Sequence, residues 1–417
     1  MSQLPVRSDL FARQPPVQLR APLRQPQPVT VTGERSRLLR NMAALYGTVI
    51  TVLALILFVA AADRAFSAGY MAPLLGVVWD LDVNAGGQWL EQGLLALVHS
   101  IPGAGPELLV LLTSLLAAMA IGALCSTLRH RGWSYTSATL VGLLVAIHPI
   151  TLHLASCGQP ATLGALAVGL LILAVDRASA LSDAQSLMTL GLALALLFVT
   201  DPNALYIVMP VLAMMPWMLR EMRDGISSAA LFLILLVPSV VLIAALLAGS
   251  MVVGVAPETI LRHWLAVLHG GLSEDVLGTG WLVANGGAFF RPLAVLIWLS
   301  LICLPAILVI ILRVVISPLL TPSRRRLRVG TAILAVLLSP LAGAFAAFFW
   351  HQQSRESAMA VTLAAGCAWV MTVSMRRTER SLWLLAMFIG VMLSWSTGLL
   401  GTDADTMAWR AALLTRP

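Results

Sequence analysis

Residues 43–62 read AALYGTVITVLALILFVAAA, an apolar run without a single charge. A helix needs roughly 20 such residues to cross the ~30 Å hydrocarbon core of a bilayer at 1.5 Å per residue. The run therefore predicts a membrane crossing. Small residues at Ala60–Ala62 resemble a cleavage site. The polar stretch before the run is longer than a signal peptide's basic region, so an uncleaved signal anchor is expected.

Working outward, comparable runs recur at 105–127, 135–154, 161–175, 187–200, 204–219, 226–249, 291–316, 329–350, 357–375 and 381–400. With the first, they predict an all-α, polytopic transmembrane bundle of about eleven crossings. Composition agrees. The 417 residues are 59% hydrophobic and 11% charged, with a mean hydropathy of +0.90. A soluble domain carries about 25% charged residues. So few charges cannot cover a water-facing surface, which excludes a soluble enzyme. Cys125, Cys157, Cys303 and Cys367 form no C-x-x-C pair and lie in or beside apolar runs. They read as buried thiols rather than a disulfide framework.

Charge orients the bundle. The net charge is +7, and all 26 basic residues are Arg. The predicted loops place 20 Arg on one side and 6 on the other. Cytoplasmic loops collect Arg, so the N-terminus is expected in the cytoplasm, in a multi-pass protein of a bacterial inner (plasma) membrane. The basic balance is thus read as orientation, with no nucleic-acid partner. Turns holding Arg129 and Arg131, Arg324–Arg328 and Arg376–Arg380 fall inside, while the acidic stretch Asp63–Pro102 falls outside. Single-cysteine labelling at Ser323 and Ser273 tests this arrangement. The two sites should react from opposite sides of the membrane, and reaction of both from one side overturns it.

Residues 1–40 carry six Pro and seven Arg with no apolar period. They are expected to form a disordered cytoplasmic tail, suited to anionic lipid or a protein partner. Residues 41–400 form the transmembrane domain, with external loops at 63–102 and 250–290, and 401–417 form a short C-terminal tail. Trp89, Leu90, Leu94 and Leu97 in the first loop repeat on one helical face. Ile260, Leu261, Trp264, Leu265 and Leu268 do the same in the second, so each loop is expected to lay a helix on the membrane surface. The runs 161–175, 187–200 and 204–219 give only about 22, 21 and 24 Å of helix. Their polar outer turns, Ser156-Cys157-Gly158-Gln159-Pro160 and Thr200-Asp201-Pro202-Asn203, are expected to border a hollow opening outward.

Several residues offer chemistry. In Trp79-Asp80-Leu81-Asp82 an extended chain points both carboxylates the same way. Such a pair can deprotonate a hydroxyl or hold a divalent cation such as Mg or Mn; the plainer alternative is a solvated acidic loop. Asp201 precedes Pro202, which suits a functional acid at depth or a helix N-cap. Arg262, His263 and Arg291 in or beside the second long loop can hold a lipid phosphate or anchor the interface.

This succession resembles the GT-C superfamily of membrane glycosyltransferases. The features that carry the likeness are the acidic first outer loop and the basic turn Leu128-Arg129-His130-Arg131-Gly132. Next come Ala146-Ile147-His148-Pro149, the stretch Ser156–Pro160 with Ala161-Thr162-Leu163-Gly164, and the turn Thr200-Asp201-Pro202-Asn203. The resemblance covers about residues 40–250. It implies transfer of a sugar from a polyprenyl-phosphate donor at the outer face, with Asp80 or Asp82 as base or metal ligand. It further implies substrate contacts from Gln159, Asp201, Arg262, His263 and Arg291. Two other readings stand beside it: a transporter or flippase of a lipid-linked or small solute, and a non-catalytic membrane subunit.

Overall fold

A computed structural model describes residues 33–67, 101–102, 105–158, 161–181, 183–200, 205–219, 227–252, 355–373 and 375–396, with isolated positions at 98, 258, 301–312 and 409–413. Every regular element among them is a helix. The chain divides into Met1–Met42 and a compact unit, Ala43–Pro417.

The opening run lies in α1 (Gly33–Ser67), which starts inside the stretch expected to be tail. Beside it runs α2 (Pro106–His130), with Pro106 in its first turn, where a missing N–H costs nothing. The two cross closely because Gly47 faces Gly122. A Cβ on Gly122 would stand 2.6 Å from the Gly47 carbonyl oxygen. Small residues at a crossing let helix backbones approach where lipid offers no hydrophobic drive to pack. The other side of α1 exposes Leu45, Val49, Val52, Leu53 and Ile56. In water these would be a liability; against acyl chains they are at home.

The run 135–154, expected to be one crossing, is broken into two helices, α3 (Tyr135–Ala146) and α4 (Pro149–Ser156), bent by 62° at the break. Pro149 is the cause. It has no N–H to donate, and its ring pushes the residue before it out of helical geometry. His148 accordingly sits at φ −60°, ψ 128°.

α5 (Ala161–Leu181) is longer than the run 161–175, because Asp176 and Arg177 end the hydropathy but not the helix. At 1.5 Å per residue it measures about 31 Å, a full crossing by length. It packs most extensively against α9 (Arg355–Thr372), and also against α6 (Ala184–Thr200). Asp183 caps α6 by accepting from Ser186 N at 2.8 Å. The Ser186 side chain and amide hold that carboxyl below the ordinary Asp value. α7 (Leu205–Leu219) and α6 stay short, as expected, at about 22 and 25 Å. α8 (Ser228–Val252) packs on both of them, and α10 (Arg377–Ser396) closes against α3 and α4.

By length and composition, three helices of the described residues can cross a membrane, or four if the bent α3–α4 pair is one broken span. These apolar helices are compatible with an integral membrane protein. The expected runs 291–316 and 329–350 and the surface helices of both long loops lie outside the described residues, apart from isolated positions. Cys125 and Cys157 are buried free thiols, and Cys367 is a half-buried one.

One end of the bundle is fastened by arginines. Arg129 Nη1 donates to Trp133 O at 2.7 Å and lies over the Tyr135 ring. Arg131 Nη1 donates to Thr372 O at 3.1 Å, at the C-terminus of α9. Arg380 donates to Gly132 O at 2.7 Å, Met375 O at 3.1 Å and Arg131 O at 3.3 Å. The guanidiniums satisfy carbonyls of the turns between helices, and at Thr372 and Arg131 they meet helix C-termini, where the dipole favours a cation.

Replacing Arg380 with Ala should therefore lower stability in detergent by roughly 1.5–3 kcal/mol, the range for hydrogen bonds to a charged group. Arg380→Lys should recover only part, because an ammonium cannot span three carbonyls as a planar fork does. A melting temperature for Arg380→Ala equal to wild type would contradict this.

Candidate functional site at the broken helix

The break between α3 and α4 frees backbone groups inside an apolar bundle, and side chains answer them. Trp395 Nε1 donates to Ile147 O at 3.0 Å. His148 Nδ1 accepts from Ile150 N at 3.4 Å, and its Nε2 lies 3.3 Å from Ser394 Oγ. At the other end of α4, Ser114 Oγ donates to Ala155 O at 2.8 Å, and Thr162 Oγ1 to Leu154 O at 3.4 Å. Irregular backbone is tolerated at membrane depth only where such partners exist.

α4 has two faces. One carries Pro149, His153 and Ser156, all buried. The Trp409 ring meets the His153 ring edge-on at 4.8 Å, and its Nε1 donates to Ser156 Oγ at 3.3 Å. Trp409 also stacks on Trp395 at 6.3 Å, and Arg410 donates to Trp395 O. Arg64, at the end of α1, donates to Leu413 O at 3.2 Å. Two imidazoles, hydroxyls and indoles thus gather around a short helix. These groups can pass or hold a proton and can donate to an anionic oxygen, but the named cluster contains no carboxylate to act as a strong base.

The opposite face, Ile150, Thr151, Leu154 and Ala155, lines an apolar cavity of about 210 Å³ between α2, α4, α5 and α9.

Depth along the membrane follows from α2. Ser114, beside Ala155, is about 22 Å from Arg129 along that helix, and Val110, against which Gly158 packs, is about 28 Å. The turn after α4 therefore stands about as far from Arg129 as a ~30 Å hydrocarbon core is thick. The expected hollow at this turn does not arise from a short α5, because α5 continues to Leu181. Gly158 turns the chain there with φ +68°, a conformation glycine adopts without strain.

Every residue that the sequence offered for the site lies outside the described residues: Asp80, Asp82, Gln159, Asp201, Arg262, His263 and Arg291. Their immediate neighbours are described. Gly158 precedes Gln159 at the turn just placed, and Thr200, buried at the end of α6, precedes Asp201. Among the described residues no group of three or more His, Cys, Asp or Glu side chains could hold a metal ion. The carboxylates offered for Mg or Mn, Asp80 and Asp82, are not among those residues.

Sequence reading set His153 aside, because it stands five residues from His148 and off its helix face, and passed over Ser394, Trp395, Trp409 and Arg410. A signal did exist for the break itself: Pro149, with a histidine before it, inside an apolar run. No family model matches the chain, and no curated protein or solved structure is similar to it.

Proposed function

We propose that the chain is a multi-pass protein of a bacterial inner membrane, its N-terminus cytoplasmic, acting as a GT-C-like glycosyltransferase on a polyprenyl-phosphate sugar at the outer face. The observation that carries this reading is the buried polar side of α4. His153 and Ser156 lie buried in an apolar bundle just before the turn at Gly158, with His148 buried at the start of the same short helix, and the arginine fastenings hold the other end. Polar and ionisable groups inside a membrane bundle are costly and tend to mark function. The Arg-rich turns at the opposite end support an outer position for this cluster by the positive-inside rule.

In this reading an outer carboxylate, Asp80 or Asp82, takes the proton of an acceptor hydroxyl as it attacks the sugar carbon. The bond to the lipid phosphate breaks, and a cation, either a divalent metal or Arg262 or Arg291, steadies the leaving oxygen. Gln159, Asp201 and His263 supply substrate contacts. The test is a proteoliposome assay with a radiolabelled polyprenyl-phosphate sugar and a membrane extract as acceptor source. Transfer that requires the protein supports the reading. If label only crosses the bilayer without transfer, the reading falls.

That second outcome has an observation of its own. A discontinuous helix with freed carbonyls, as at Ile147–Pro149, is how many transporters build a binding site. A flippase or transporter of a lipid-linked or small solute is therefore the alternative. A chain that does neither is a non-catalytic membrane subunit.

A further inference from the structure

The cavity between α2, α4, α5 and α9 is bordered at one end by charge. Its wall on α5 runs through Thr162, Leu166, Gly169 and Leu173, and its wall on α2 through Ala117, Ala120 and Leu124. Both stripes continue at helical spacing into cations. Arg131 stands seven residues after Leu124, and Arg177 seven after Leu170, a lining residue that is itself half exposed. Met371 lines the cavity, and the next residue, Thr372, accepts from Arg131. Four residues on come Arg376 and then Arg377.

His130, Arg131, Arg177, Arg376 and Arg377 are all exposed. The nearby acids are occupied: Asp176 Oδ2 lies 3.8 Å from Arg131 Nη2, and Glu379 Oε2 accepts from Arg376 N at 2.8 Å. An apolar groove therefore ends at an exposed basic rim.

We propose that this groove binds one anionic phospholipid of the leaflet at the basic end. One acyl chain lies between α2, α5 and α9, and the phosphate lies against Arg177 and Arg376. Two properties select this occupant. First, the cavity wall is almost wholly apolar, and Ala117, Ala120, Gly169, Ala360, Ala364 and Ala368 keep it open. Second, the rim is cationic, and positive charge at a membrane surface complements anionic headgroups. Acyl chains gain little by leaving one apolar surface for another within the bilayer. The headgroup must therefore provide most of the selectivity, while the groove decides where the lipid sits. The headgroup end of this site lies at the other end of the bundle from the polar side of α4, and the proposal does not depend on the sugar-transfer reading.

The full chain, purified in detergent, is titrated with dioleoyl phosphatidylglycerol or dioleoyl phosphatidylcholine in mixed micelles, and bound lipid is counted by native mass spectrometry. One phosphatidylglycerol should bind more tightly than phosphatidylcholine. Arg177→Gln and Arg376→Gln should each weaken phosphatidylglycerol about fivefold and leave phosphatidylcholine unchanged, as about 1 kcal/mol per basic residue near the surface implies. Gly169→Leu should abolish retention of both lipids at unchanged melting temperature. A Cβ there meets only Ala364 O, at 4.0 Å, so the side chain can fill the groove. Should that variant fail to fold, Ala120→Leu on the facing wall gives the same readout. Equal binding of the two lipids overturns the proposal. So does wild-type retention of phosphatidylglycerol in the groove variants, which would mean a headgroup held elsewhere.

Discussion

Under the proposed sugar-transfer function, Asp80→Asn and Asp82→Asn, made separately, should leave expression and helix content intact, and one of them should lower transfer about 10²–10⁴-fold, the usual worth of a general base. An amide matches the carboxylate in shape and still accepts a hydrogen bond, but it cannot take a proton at neutral pH. The change is therefore selective for chemistry. The two residues belong to the net-negative stretch Asp63–Pro102, expected on the side poorer in Arg, and neither falls in an apolar run. Folding of the bundle should not depend on either. A metal role separates from a base role by addition of Mn: an Asn variant that only binds metal more weakly recovers with excess cation, and a lost base does not. Wild-type transfer in both variants would leave the α4 cluster without its acid and make the non-catalytic subunit the better account.

Gly191→Leu is the change with the largest structural effect. Gly191 lies where α6 crosses α8, and a Cβ on it would overlap the Leu235 carbonyl oxygen and reach 3.3 Å from the Pro238 ring. The Gly191 carbonyl also accepts from Ser239 Oγ at 2.8 Å, so the two backbones are tied as well as close. The obstacle is main chain, which cannot rotate away as a side chain does. Overpacking usually costs about 1–3 kcal/mol and occasionally more; a backbone clash at a tied crossing belongs at the upper end. The detergent melting temperature should fall steeply. Gly164→Leu is the control, because a Cβ there meets nothing within 4 Å. If both variants melt like wild type, α6 and α8 do not cross as described.

Hydropathy read the helices well where composition alone decides them. The run 43–62 lies within α1, and 226–249 falls close to α8. It misread α5 because a charge ends a stretch of low solvation cost without ending a helix. Asp176 remains helical with its carboxylate near Arg131, and Arg177 simply faces out. It merged α3 with α4 because averaging over a window hides one proline among apolar neighbours. The docking of Trp409 on His153 and Ser156 was beyond any pattern. It joins positions more than 250 residues apart, and nothing local to either announces the other. The acids at Asp80 and Asp82 remain a sequence argument, while the polar partners they would serve, His148, His153 and Ser156, came from the fold.

The pairing of α5 with α9 has a consequence for how the protein is made. Residue 181 leaves the ribosome long before residue 355. At roughly 5–20 residues per second the interval is on the order of ten to thirty seconds. In an inserted chain the wall of α5 that will meet α9 would face the bilayer through that time, without penalty, since acyl chains suit it as well as a helix does. Assembly of the second helix is then a displacement of solvent, and it is complete only where α9 presses close. At Gly169, where the nearest atom of α9 stands back, the displacement stops short. The proposed lipid would fill the part of the interface that α9 leaves open, a remnant of the original solvent, the membrane itself.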